Sequence, residues 1–126
     1  MYSVDSHAGT GMFGQDTWDE FCANIEGSGV AARVHIRRGL FQDVLPAMQA
    51  EGVRVDGCFI DAQHDEECVR RDLGLALPLV KPGGWVAFHD YGRGPHNGFP
   101  TFGVTQVADE FGVLGVTGCL AWGRAA

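Results

Sequence analysis

Apolar and polar residues along the chain follow two rhythms, short unbroken or alternating apolar runs and longer stretches with a period near 3.6. Tyr2-Ser3-Val4 reads as a short strand that ends at Asp5. Trp18, Phe21, Cys22 and Ile25 then recur at i, i+3, i+4 and i+7, the stripe of an amphipathic helix. Asp16 is its expected N-cap, and Gly27 and Gly29 stop it. Val34-His35-Ile36 predicts a second strand closed by Gly39. Val44, Leu45 and Met48 predict a short helix, with Pro46 tolerable only near its start. Gly57-Cys58-Phe59-Ile60, bounded by Asp56 and Asp61, predicts a strand buried on both faces.

The helical rhythm returns from Asp65 to Leu79, with Val69, Leu73, Ala76 and Val80 on one side. Lys81-Pro82-Gly83-Gly84 reads as a turn, and Trp85-Val86-Ala87-Phe88 as another doubly buried strand ending at His89-Asp90. A polar loop rich in Gly and Pro follows from Tyr91 to Pro100. Val104, Val107, Ala108 and Phe111 mark a last helix, and Val113–Val116 with Cys119–Trp122 a hairpin around Thr117-Gly118. Strands alternating with helices imply an α/β fold, with a mostly parallel sheet and a C-terminal antiparallel hairpin.

In such a sheet, functional side chains collect where strands end. Asp5, Asp61 and His89-Asp90 each follow an apolar strand immediately, so they are expected on one rim. Neighbouring strands lie about 4.8 Å apart, close enough for carboxylates at two strand ends to share a cation. Oxygen donors suit Mg²⁺, whereas a histidine at position 89 tilts the preference toward Mn²⁺, Fe²⁺ or Zn²⁺. His64, three residues past Asp61, overhangs the same rim and is a candidate proton acceptor. Each of these residues also has a purely structural reading: Asp61 as partner of the next helix's N-terminus, His89 as a hydrogen-bonded core residue.

Composition narrows the possibilities. The chain has 126 residues, enough for one domain spanning residues 1–126 that buries roughly two-thirds of its unfolded surface. A net charge of −7 argues against nucleic acid or an anionic membrane as partner. No apolar run is long enough to span a bilayer, and no basic start precedes an apolar stretch, so a cytoplasmic location without signal peptide is expected. Cys22, Cys58, Cys68 and Cys119 are scattered without a C-x-x-C pair, as expected of buried free thiols in a reducing compartment. Nineteen glycines, about twice the usual share, call for many tight turns.

The segments Phe59-Ile60-Asp61-Ala62-Gln63-His64, Lys81-Pro82-Gly83-Gly84 and Val86-Ala87-Phe88-His89-Asp90-Tyr91 carry a resemblance. The chain resembles class I S-adenosylmethionine-dependent methyltransferases, in particular the metal-dependent O-methyltransferase branch that acts on catechols and on sugar hydroxyls. The spacing of 28 residues from Asp61 to His89 matches that branch, in which an Asp ends strand four and an acidic pair or Asp-Asn ends strand five. The resemblance implies a three-layer Rossmann-like fold, S-adenosylmethionine as cofactor, a divalent cation (Mg²⁺ or Mn²⁺) on Asp61, His89 and Asp90, and His64 as general base. It also implies that Asp5 binds the cofactor's ribose, that Gly39-Leu40-Phe41 borders the adenine, and that Asp61 lines the cofactor side. Asp5 reads equally as a solvated turn residue, and Phe41 equally as core. Tyr91 to Pro100 becomes a substrate-side loop, with His96 and Asn97 as unassigned polar groups.

The family's first strand and glycine-rich loop have no counterpart before Met1, and Gly9-Thr10-Gly11 follows the ribose Asp rather than preceding it. A sheet without its first strand must close up, pair with another chain as a homo-oligomer, or leave an open edge. Three functions remain: methyl transfer to a small-molecule hydroxyl, a non-catalytic module pairing through its incomplete sheet, and metal-assisted hydrolysis at the same Asp/His cluster.

Overall fold

The computed structural model of the protein describes residues 1–9 and 14–126, so Thr10 and Gly11 of the glycine-rich candidate lie outside the described residues. The chain divides into two compact units, Met1–Ala47 and Met48–Ala126.

In the first unit, β1 (Tyr2–Asp5) runs parallel to β2 (His35–Arg38), with Tyr2 opposite His35 and Asp5 opposite Arg38. The second strand thus lies later than the Val34–Ile36 reading, because Ala31–Arg33 forms a 3₁₀ turn whose last carbonyl partner is the Val34 N–H. The connection holds α1 (Trp18–Gly27), which buries no residue fully. Its aromatic stripe instead packs on His7, whose ring centre lies 4.4 Å from that of Phe21 and 5.5 Å from that of Trp18. Thr17 rather than Asp16 occupies the N-cap position. Asp16 still serves the helix start, since its Oδ1 accepts the Trp18 N–H at 2.8 Å. That bond, with Arg38 nearby, holds the Asp16 carboxyl below its ordinary range.

Residues of both units form α2 (Phe41–Ala50). It starts earlier than its apolar positions suggest, because Leu40 O accepts the Asp43 and Val44 N–H groups and closes a first turn. Pro46 therefore sits mid-helix and not near the start, where it removes one i→i−4 bond.

The second unit contains β3 (Val55–Ile60), α3 (Glu66–Ala76), β4 (Val80–Phe88), α4 (Val104–Phe111), β5 (Gly115–Thr117) and β6 (Leu120–Arg124). Strand order is β3-β4-β6-β5, parallel between β3 and β4 and antiparallel elsewhere. Among the described residues, β1 pairs only with β2 and β3 only with β4, so each keeps an open edge. The core gathers Ile60, Val69, Leu73, Val86, Phe88, Val104, Val107 and Ala108, each contributing about 1.5–3 kcal/mol for the larger side chains.

Three expectations change in this unit. Neither β3 nor β4 is buried on both faces: Phe59 is 56% and Trp85 43% exposed, while their alternating neighbours Ile60 and Val86 are buried. An apolar run records residue type, and α3 and α4 supply apolar partners to one face only. Lys81-Pro82-Gly83-Gly84 is an excursion within β4 and not a separating turn, with Val80 opposite Val55 and Trp85 already opposite Gly57. The terminal hairpin turns at Gly118-Cys119, since Thr117 faces Leu120. Gly118 has φ +57° while Cys119 is not in the left-handed region, the type II′ pattern that demands glycine first. The four cysteines are free and each is half-buried rather than buried. Burial pushes the Cys58 thiol up to about 11.

Candidate functional site

Two parallel strands deliver the site. Asp61 follows β3 directly, and His89-Asp90 follow β4, with the His89 N–H still bonded to Ile60 O at 3.1 Å. Asp90 leaves the ladder in the left-handed region at φ +60°, a conformation Asp tolerates better than most residues. The bend turns its carboxylate back toward the β3 end. Asp90 Oδ2 lies 2.9 Å from His64 Nε2 and 3.3 Å from His89 Nδ1. Asp61 Oδ1 lies 3.6 Å from His64 Nε2 and 3.4 Å from His89 Nδ1. Two carboxylates thus face two imidazoles across one small space.

The turn that carries His64 is braced from both sides. Asp65 caps α3 by accepting the Cys68 N–H at 3.0 Å, a bond that keeps its carboxyl below the ordinary range. His64 O accepts the Gly103 N–H at 2.8 Å. A side chain at Gly103 would bring a Cβ within 2.5 Å of Glu66 Cβ, so only glycine permits this close approach. The neighbouring Phe102 stacks on the His64 ring, with centres 4.4 Å apart and planes 12° apart.

One observation bears on cation binding. His64 Nε2, His89 Nδ1 and Arg93 Nε are shielded from solvent, yet none makes a well-directed hydrogen bond despite the nearby carboxylates. Of these three, the two imidazole nitrogens are able to ligate a cation, whereas Arg93 Nε is always protonated and lies 2.6 Å from Asp90 Oδ1. Asp61, His64 and Asp90 present donor atoms within 4.8 Å of one another, as do His89, Asp90 and Cys119. The expected ligand set of Asp61, His89 and Asp90 is brought together, and His64 and Cys119 join its surroundings.

The residues expected on the cofactor side belong to the first unit, apart from Asp61. Asp5 is exposed at the end of β1, with Oδ1 accepting the His7 N–H at 2.7 Å. Gly39 follows β2 and donates its N–H to Asp5 O at 2.9 Å. A Cβ on Gly39 would stand 2.8 Å from Val44 Cγ2, so the chain stays close there. Leu40 is half exposed and Phe41, half-buried, opens α2. Of the two polar groups on the 91–100 loop, Asn97 closes the loop on itself through the Gly94 N–H and Gly92 O. His96 instead lines an open groove of about 740 Å³ together with Tyr91, Arg93, Phe102, Thr105 and Asp109.

A family model described as a methyltransferase domain matches residues 1–91, which span β1 through Asp90 and the residue after it. The chain belongs to this methyltransferase-domain family. No curated protein matches it. Among solved structures, an O-methyltransferase family protein from Burkholderia thailandensis has a similar fold, with TM-score 0.63 and 19% identity over 96% of the chain. The methyltransferase domain described here spans 41% of that protein's length. Among the described residues of the domain, no helix is long and apolar enough to cross a membrane.

Sequence reading missed three members of this candidate site. Arg93 pairs with Asp90, Nε to Oδ1, at 2.6 Å, and Phe102 stacks on His64. Cys119 Sγ lies 3.5 Å from His89 Nε2. For Cys119 a signal existed in the strand register: Phe88 faces Ala121, so two further residues carry Asp90 to Cys119. Arg93 and Phe102 come from an irregular loop, which has no period to extrapolate.

Proposed function

We propose that the chain is the acceptor-activating part of an S-adenosylmethionine-dependent O-methyltransferase acting on a small-molecule hydroxyl. Asp61 and Asp90 are the oxygen donors for a divalent cation, Mg²⁺ or Mn²⁺, with His89 Nδ1 lining the same space. Asp5, Gly39, Leu40 and Phe41 are the cofactor-side residues of this reading. When bound, S-adenosylmethionine supplies a methyl group on a cationic sulfur, and the cation supplies the charge that makes a hydroxyl easier to ionise. His64 Nε2 would take the proton of the acceptor hydroxyl during transfer. Asp90 Oδ2, 2.9 Å from that nitrogen, stabilises the resulting imidazolium, and Phe102 holds the ring plane. The leaving group is already activated, so the chain's own contribution is placement and charge.

The observation that carries this reading is the convergence of Asp61 and Asp90, from two adjacent parallel strands, on the His64 ring. Calorimetric titration with S-adenosylhomocysteine, with and without Mg²⁺, tests it. Saturable binding is expected, and His64→Ala should preserve that binding while slowing methyl transfer about 10²–10⁴-fold. Unchanged turnover in His64→Ala would remove it from the base role. The open edges of β1 and β3 favour a second reading, a non-catalytic module that pairs with a second copy through its sheet. A folded chain without cofactor binding, and with an oligomer that survives dilution, would decide for that reading.

A further inference from the structure

We propose that Arg93 selects the acceptor, and that the acceptor is a hydroxylated acid, a small molecule whose carboxylate or phosphate sits on the Arg93 guanidinium while its hydroxyl faces His64. Only the hydroxyl end rests on the methyl-transfer reading. The open groove of about 740 Å³ falls within the range of about 300–1,000 Å³ usual for small-ligand sites. Two of its residues also border His64 and Asp90. Phe102 lines the groove and stacks on the His64 ring, and Arg93 lines it while its Nε lies 2.6 Å from Asp90 Oδ1.

Arg93 is prepared for an oxyanion. A guanidinium carries a fork of N–H donors, and Asp90 faces only the one on Nε. Among the described residues neither Nη of Arg93 has a hydrogen-bond or ion-pair partner, and the side chain is 38% exposed. A planar head with two free nitrogens matches a carboxylate or phosphate through two parallel bonds. The acidic residues of the groove are already engaged, Asp109 Oδ1 by the Tyr91 hydroxyl at 2.8 Å and Glu110 Oε2 by Arg70 Nη1 at 2.6 Å. An anion therefore meets unpaired donors at Arg93.

Backbone bonds and rings on either side hold that head in place. The Gly92 N–H donates to Thr105 Oγ1 at 2.9 Å, the Gly94 N–H to Asn97 Oδ1 at 2.7 Å, and Asn97 Nδ2 to Gly92 O at 2.9 Å. Arg93 Cζ lies 4.7 Å from the centre of the Phe99 ring, Phe99 lies 4.8 Å from Phe102, and Phe102 lies 4.4 Å from His64. One continuous stack thus joins the guanidinium to the imidazole. Asp90 bridges the same two groups, with Oδ1 beside Arg93 Nε and Oδ2 beside His64 Nε2, so little more than one carboxylate separates them. Anion and hydroxyl are therefore a few bonds apart in the acceptor, as on the ring of a hydroxybenzoate.

Amide resonances of the isotope-labelled full chain are followed by NMR during titration with benzoate and, separately, phenyl phosphate, at constant ionic strength and without cofactor. Saturable shifts are expected at Gly92, Gly94 and Gly103, with neutral benzamide giving none. Arg93→Gln should weaken binding about 10–100-fold, and Arg93→Lys, which keeps the charge and loses the fork, should fall between. Arg54→Gln, at the other end of β3, should leave binding unchanged. The tighter of the two probes names the oxyanion. Absence of saturable shifts, or equal affinity in Arg93→Gln, would overturn the proposal. If Arg93→Gln fails to fold by far-UV circular dichroism, phenylglyoxal modification of the unaltered chain decides, read by mass mapping. Benzoate should protect Arg93, and equal modification with and without benzoate would again overturn it. None of these readings needs S-adenosylhomocysteine, whose calorimetric binding tests the methyl-transfer reading separately.

Discussion

Asp72 is buried on the inner side of α3, 2% exposed, with Arg71 Nη2 3.1 Å from its Oδ1. Burial pushes its carboxyl above the ordinary range, and Arg71 only partly opposes this. The folded chain therefore holds this proton to a higher pH than the unfolded chain does. Its contribution to stability is complete below about pH 4 and is lost as pH rises through the raised folded value. Asp16, Asp56, Asp65 and Glu110 behave in the opposite sense, because hydrogen bonds and cationic neighbours lower their values. Asp72→Asn should remove this opposing contribution. The melting temperature of the variant, taken relative to the wild type, should climb as pH is raised from about 4. Parallel profiles across that range would contradict this assignment. Asp72 was invisible to pattern reading, since a charged residue within a helical stripe looks like part of the solvent face. The strand-end residues Asp61, His89 and Asp90 were legible, because a polar residue that closes an apolar strand has one place to be.

At the scale of elements, α3 offers the cleanest test. Its N-cap is a single side chain, Asp65, whose Oδ1 satisfies the Cys68 N–H. Asp65→Ala should lower stability by about 1 kcal/mol in chemical denaturation, with the slope unchanged. A loss within measurement error would mean that the first turn is held instead by the Gly103 bond to His64 O. The start of α3 could be placed from its apolar period, but its end could not: the period runs on through Leu79 and Val80, whereas Leu77–Leu79 is a 3₁₀ turn and Val80 already begins β4. Nor could the start of α2, because Phe41 and Gln42 lie outside the stripe that Val44, Leu45 and Met48 define. The β4 excursion was also hidden: Pro82-Gly83-Gly84 has turn chemistry, and nothing in one strand's residues says that pairing resumes on the same partner. Cys119 reached the site through a register shared by β4 and β6, a relation between elements rather than a property of either.

For the whole molecule, the division into two units predicts uneven stability. Leu45 and His7 are the buried residues of the described first unit, whereas the second encloses Val69, Val86, Phe88 and Val107 almost completely. Native-state hydrogen exchange should find the β1–β2 amides about 10-fold or more faster than those between β3 and β4. Equal protection in the two ladders would show that both units open together. The sequence order of strands and helices already announced an α/β chain. It could not show that the sheet separates into a parallel pair and a mixed group of four, because the gap reflects pairing partners and leaves no mark on local composition.

Those open edges on β1 and β3 have a colloidal consequence. Backbone pairing between copies is short-ranged and indifferent to side-chain identity, while the charge of −7 keeps copies apart over a Debye length. That length is about 10 Å at 0.1 M salt and shrinks to about 3 Å at 1 M. Dilute buffer therefore supplies the repulsion that guards the edges, and concentrated salt withdraws it. For this chain, ionic strength acts as a setting on how strongly one molecule feels the next.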